Sequence, residues 1–194
     1  MTEKSTKITK IILFYLIIAI SLIVYFAFHH SAVKLESGVY LNQPQTVTHF
    51  EFIDNHGNLF TETKLKGHWS LLFFGFTSCA MICPLTMQTL NQTYGRLTTT
   101  KRPQVIFISV DPEHDSLQRL NQFMHQFNPH FIALRGDMPA INTLQKQLHV
   151  TVSTTPMSHG TEIVLINPEA KIQAYFHYPI SPKTLAADLQ RLMH

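Results

Sequence analysis

Residues 69–76, Trp-Ser-Leu-Leu-Phe-Phe-Gly-Phe, form an apolar run broken only by Ser70. A run without polar alternation is how a strand covered on both faces reads, so it marks the centre of a sheet. From Pro84 the spacing changes: Met87, Leu90, Tyr94 and Leu97 recur every three or four positions, the period of a helix with one buried face. Pro84 suits the first helical position, where a missing N–H is no loss. A second buried run, residues 104–110, follows, and then Leu117, Leu120, Met124 and Phe127 mark another amphipathic helix. Strand, helix, strand in this order is a right-handed parallel crossover unit.

The flanks fit the same sheet. A third helix is expected after Pro139, with Ile141, Leu144 and Leu148 on one face. Residues 162–176 read as a hairpin turning at Asn167-Pro168-Glu169-Ala170, and Leu185, Leu189 and Leu192 as a closing helix after Ser181-Pro182. Ahead of the central strand, Val47–Ile53 alternates, Asp54-Asn55-His56-Gly57 is a turn signal, and residues 58–62 can return. The expectation is one α/β domain over residues 47–194, a thioredoxin-like fold with an N-terminal β-hairpin extension. With 45% hydrophobic and 14% charged residues the chain has ample apolar side chain for such a core, which excludes disorder for most of it. Two cysteines exclude a disulfide-stapled miniprotein.

Residues 11–28 contain no charge, proline or glycine, about the length a helix needs to cross the hydrocarbon core. Lys4, Lys7 and Lys10 precede this run, and no acidic residue follows until Glu36. The positive-inside bias therefore predicts residues 1–10 as a cytoplasmic tail, 11–28 as a single transmembrane anchor and the rest outside. A cleavable signal would have a shorter apolar core ending in small residues, unlike Tyr25-Phe26-Ala27-Phe28. Residues 29–46 are polar and unpatterned and read as a tether. Once the tail is set apart, 12 basic residues face 11 acidic ones, so nothing in the charge points to nucleic acid.

Cys79 and Cys83, in Phe-Gly-Phe-Thr-Ser-Cys-Ala-Met-Ile-Cys-Pro-Leu-Thr-Met, fall between the central strand and its helix. Open α/β sheets bind ligands at the carboxyl ends of their strands, and a helix N-terminus there is expected to lower thiol pKa values. Pro84 disfavours helical backbone at Cys83, so a tight turn is expected with both sulfurs aimed at one spot. Thiolates select soft or borderline ions, Cu(I) and zinc above all, and two sulfurs call for a third ligand. If residues 162–167 run antiparallel to the central strand, their start lies at the same sheet end. His159, just before them, then completes a Cys2His set with Cys79 and Cys83. A structural disulfide over so short a loop would stabilise little. Met81 and Met157 also offer thioether sulfur, but are read as packing. In Asp111-Pro112-Glu113-His114-Asp115, a turn is expected with Asp115 as the N-cap of the following helix.

These residues resemble a known family. The cysteine segment is similar to the signature G-[FY]-T-x-C-x-x-x-C-P of the Sco/SenC proteins. Val110-Asp111-Pro112-Glu113-His114-Asp115 is similar to their V-D-P-x-x-D, and Ser158-His159-Gly160 with residues 161–172 resembles their histidine-bearing hairpin. Ser78 stands where the family commonly has histidine, Ala80 and Met81 where it has proline and an acid, and the loop before His159 is shorter. The resemblance implies a thioredoxin-like domain that binds copper, Cu(I) or Cu(II), through Cys79, Cys83 and His159. It further implies a role in assembling the binuclear copper centre of cytochrome c oxidase subunit II, with another copper chaperone and a thioredoxin-like reductant as further partners. For a bacterial chain with this topology the location is the inner membrane, single-pass, with a periplasmic C-terminal domain. Cys79 and Cys83 as a redox-active pair support a rival: a membrane-tethered thiol-disulfide reductase acting through a mixed disulfide on the oxidase subunit or other periplasmic proteins. A peroxidase and a copper or redox sensor are further rivals on the same fold.

Overall fold

The computed structural model describes the backbone of residues 2–29, 34–152 and 162–193, and the side chains of these residues except 2–9, 11 and 26–29. The chain divides into two compact units, Met1–Val33 and Lys34–His194. The first is one helix, α1 (Thr2–His29), whose described apolar side chains from Ile12 to Tyr25 are exposed. Those side chains cover only part of the 11–28 run, and among the described residues no helix is long and apolar enough to cross a membrane.

Among its described residues the second unit contains eight strands and four α-helices: β1 (Gly38–Thr46), β2 (Glu51–Asp54), β3 (Leu59–Thr61), β4 (Ser70–Gly75), α2 (Ile82–Arg96), β5 (Gln104–Ser109), α3 (Leu117–His125), β6 (Ile132–Arg135), α4 (Met138–Gln147), β7 (Glu162–Ile166), β8 (Lys171–His177) and α5 (Pro182–Leu192). The strands form one sheet in the order β1-β8-β7-β4-β5-β6-β2-β3. The apolar run at 69–76 is the central β4, every residue of which is buried. It pairs in parallel with β5, Ser70 opposite Gln104 through Gly75 opposite Ser109, and β5 pairs in parallel with β6. On its other side β4 pairs antiparallel with β7, Phe73 opposite Ile163. The carboxyl ends of β4, β5 and β6 and the start of β7 therefore share one sheet edge.

Alternation along β4 sends Leu71 and Phe73 to one face and Leu72 and Phe74 to the other. The first pair joins a core with Met87 and Leu90 of α2, Leu120 and Phe123 of α3, and Leu185 and Leu189 of α5. The second pair packs with Ile141 and Leu144 of α4 and with Phe52 and Phe60 of the β2–β3 hairpin. Each such side chain removed from water contributes about 1.5–3 kcal/mol, which explains why the apolar helix faces read from spacing are the faces that dock. Helix starts are fixed by Ser116, Asp137 and Ser181, whose side chains accept from the backbone N–H of Arg119, Ala140 and Thr184.

Three elements differ from the sequence expectation. The segment 29–46, read as a tether, supplies β1, which pairs antiparallel with β8, and the compact unit begins at Lys34. Its side chains are partly or wholly exposed, and the pairing shifts register between Tyr40 and Gln45. An edge strand held by backbone bonds leaves no alternation to read. The alternating stretch 47–53 becomes a strand only from Glu51, and it decorates the sheet edge beside β6 as expected. The short β6 went unread because its four residues carry too little periodicity.

Candidate metal centre

The loop between β4 and α2 carries both cysteines. Gly75 ends β4, and its carbonyl accepts from the Val110 N–H at 2.9 Å. The Cys79 N–H donates to the Phe76 carbonyl at 3.2 Å, folding the chain back on itself. Helix α2 then starts at Ile82, and the Leu85 N–H donates to the Met81 carbonyl. Cys83 is thus in the first helical turn, in place of the tight turn expected from Pro84. Pro84 is tolerated as the third residue of the helix, because the first four N–H groups of a helix lack intrahelical partners.

One of those free N–H groups finds a partner in the site itself. The Cys83 N–H donates to Cys79 Sγ at 3.4 Å. Both cysteines are reduced and nearly enclosed, at 6% and 4% exposure, within the core shared with α2 and α5. Cys83 lies so close to β4 that a Cβ on Gly75 would sit 2.7 Å from its Sγ and 2.7 Å from a Phe107 ring carbon. Gly75 is required there for close approach. Burial pushes the Cys83 thiol well above the ordinary thiol range, reinforced by its hydrogen bond to Cys79 and by the nearby Asp115 carboxylate. The lowering expected from the helix N-terminus is therefore overridden at Cys83 by desolvation.

Asp115 does not cap α3, a role taken by Ser116. It is fully buried and accepts from the Thr77 N–H at 3.1 Å, the Thr77 hydroxyl and the Ser109 hydroxyl at 2.6 Å. Ser109 Oγ in turn accepts from the Asp111 N–H at 3.1 Å. One carboxylate thus ties the cysteine loop to the end of β5. Sequence reading missed this because Thr77 lies 38 residues away. Its neighbour His114 is exposed and paired with Asp111 at 2.7 Å, which raises the histidine pKa.

The structure brings Cys79 and Cys83 together. His159, the third expected ligand, and Met157 lie outside the described residues. What stands is the premise for His159: β7 runs antiparallel to β4 and begins at the sheet end where β4 finishes. Among the described residues no three His, Cys, Asp or Glu side chains converge on a point that would hold a metal. The donor set offered by the described site is two sulfurs, which suits a soft ion and not a hard one. Met81, read as packing, is 65% exposed. The loop turns its side chain out of the core that encloses both neighbouring cysteines.

Comparison with known proteins bears on this site. A sequence model of the SCO1/SenC family matches residues 39–194. A SCO2-like protein of Rickettsia prowazekii is 31% identical over 146 residues, covering 70% of this chain and 71% of that one. The crystal structure of yeast Sco1 with copper bound superposes with a TM-score of 0.69 at 26% identity, over 76% of this chain and 88% of that one. The Bradyrhizobium japonicum ScoI structure with copper bound gives a TM-score of 0.65 at 28% identity, over 75% and 98% of the two chains.

Proposed function

The chain belongs to the SCO1/SenC family, and from that premise we propose that it is a membrane-anchored copper chaperone whose cargo is held by Cys79, Cys83 and His159. The observation that carries this reading is the enclosure of two reduced cysteines at one sheet end, with the amide of Cys83 on the sulfur of Cys79, in a chain similar to copper-loaded Sco structures. Copper leaves by ligand exchange to an acceptor, for which the family resemblance supplies the binuclear copper centre of cytochrome c oxidase subunit II. Oxidation of the pair to a disulfide removes both thiolates and ends binding. Chain connectivity supports His159 as third ligand. It is three residues from Glu162, hence within about 11 Å of it even if fully extended.

The same pair supports the rival reading, a membrane-tethered thiol-disulfide reductase acting through a mixed disulfide, and copper binding separates the two. Anaerobic titration of the reduced chain with Cu(I) and Cu(II) tests the proposal against Cys79→Ser, Cys83→Ser and His159→Ala. Stoichiometric binding lost in each variant is expected. Normal binding by His159→Ala together with efficient reduction of disulfides would put the reductase in its place.

The same proposal places α1 as the anchor, with Lys4, Lys7 and Lys10 on the cytoplasmic side and the domain in the periplasm of a bacterial inner membrane. The uncharged run 11–28 supports it. An alkaline phosphatase fusion after His194 should be active in intact cells, and an inactive fusion would reverse the topology.

A further inference from the structure

Met81 breaks two local rules at once. It is the N-cap of α2, a position that favours Ser, Thr, Asp or Asn because a side-chain oxygen can accept from the first free N–H groups. Met81 makes no such bond, and its backbone sits at φ −137°, ψ −62°. It also leaves a large apolar side chain 65% exposed, although burial would return about 1.5–3 kcal/mol. Single exposed apolar residues are common and need no explanation by themselves. This one lies two residues from each of two enclosed sulfurs. Departures from local rules without a compensating contact concentrate at functional sites.

The chemistry of the side chain supplies the reason. A thioether is a soft donor that favours Cu(I), is carried on three rotatable bonds, and binds without losing a proton. Cys79 and Cys83 are nearly closed to solvent, so an ion arriving from water meets the outer side of the loop first. We propose that the Met81 thioether is an additional, solvent-side ligand for Cu(I), engaged as the ion enters or leaves the Cys79–Cys83 pair. The inference rests on the copper-carrying reading above and adds the residue that handles the ion in transit. In the entry step a bond from Cu(I) to its carrier breaks as the Met81 Sδ–Cu bond forms. Cys79 and Cys83 then each form a Cu–S bond and release a proton to water. Copper stays Cu(I) throughout, and no oxidant or reductant takes part.

The test uses the full-length reduced chain in detergent and Cu(I) bicinchoninate as carrier, with transfer followed anaerobically by loss of the chelate colour. Met81→Leu keeps the apolar bulk and removes only the sulfur. It should slow transfer about tenfold, the lower end of what losing a supporting group at a metal site costs, while Met81→Ala should be no slower than Met81→Leu. Selenomethionine-labelled protein should show a Cu–Se neighbour by X-ray absorption during loading, absent in labelled Met81→Leu. Unchanged transfer in Met81→Leu, or a Cu–Se neighbour that survives it, overturns the inference while leaving the chaperone reading intact. Failure of the unsubstituted chain to take up Cu(I) overturns both.

Discussion

Cys83 Sγ is packed against the backbone of Gly75, with no room between them for a methyl group. A Cβ at Gly75 would stand 2.7 Å from that sulfur and 2.7 Å from the Phe107 ring. Neither neighbour can yield easily, since Phe107 is fully buried and Cys83 is fixed in the first turn of α2. Gly75→Ala is therefore expected to destabilise the domain by about 1–3 kcal/mol, the usual cost of overpacking a core, and to weaken copper binding by displacing the sulfur. Denaturant unfolding measures the first effect and chelator competition the second. Wild-type values for both would show that the contact is slack.

Asp115 should prove a positioning residue for the cysteine loop. Its carboxylate is the acceptor for the Thr77 N–H, the Thr77 hydroxyl and the Ser109 hydroxyl. Asp115→Ala strands these donors in a buried site, at about 1–3 kcal/mol for each one left unsatisfied. Asp115→Asn keeps the shape but loses one acceptor oxygen and the charge, so it should be milder. Amide exchange at Thr77 and the residues after it should accelerate in both, and more than exchange in β5.

How far the chain could be read beforehand follows from what each signal depends on. β4, β5 and the buried faces of α2, α3 and α5 were legible because burial on a fixed period leaves a mark within a few residues. The cysteine pair was legible because it falls where that period switches from strand to helix. β1 left no mark, since an edge strand such as Gly38–Thr46 needs only backbone pairing. Asp115 was misread for a different reason. An aspartate ahead of an apolar period reads as a cap, whereas its partner Thr77 belongs to another loop, and Ser116 one residue later does the capping. The exposure of Met81 and the upward shift at Cys83 are likewise tertiary effects, set by which way a loop folds over a core.

Asp188 does for the start of the domain what Asp115 does for the site. This buried carboxylate in α5 accepts from the N–H of Glu36 at 3.0 Å, the N–H of Ser37 at 3.0 Å and the Ser37 hydroxyl at 2.6 Å. Arg191 adds an exposed pair with Glu36 at 2.7 Å and a longer contact to Asp188 itself at 3.4 Å, the exposed pair worth little on its own. Asp188→Ala should lower stability by about 1–3 kcal/mol per stranded donor and open the 34–40 segment to protease. Arg191→Ala, which leaves the three backbone-segment donors their acceptor, should do much less of both. Equal susceptibility of the two variants would refute the clamp.

His114 offers a pH test without loss of fold. The hydrogen bond and charge of Asp111 raise its pKa above the ordinary 6.5. A raised histidine value means that the pairing stabilises the folded state fully below about pH 6.5 and that this contribution fades as pH rises through the folded value. The pair is exposed, so added salt should weaken it. NMR titration of the His114 ring should give a midpoint above 6.5 that falls toward it in Asp111→Asn. A midpoint unmoved by that substitution would show that the pair does not persist in solution.

Cys83 links copper affinity to pH through its burial. Desolvation raises its pKa above the ordinary thiol value of 9.0, so the reduced, metal-free domain holds it as a thiol at neutral pH. The unfolded chain releases this proton above about pH 9 while the folded chain keeps it, so the stabilising contribution is complete below that pH and is lost as pH climbs toward the folded value. Copper reverses the preference, because a thiolate is the ligand and the proton must leave when the Cu–S bond forms. One proton released at Cys83 makes affinity rise about tenfold per pH unit. Chelator competition with Cu(I) between about pH 6 and pH 8 should therefore show the affinity of the unsubstituted chain rising by at least about tenfold per pH unit. A smaller rise would mean that Cys83 is not a thiolate ligand in the copper-loaded protein.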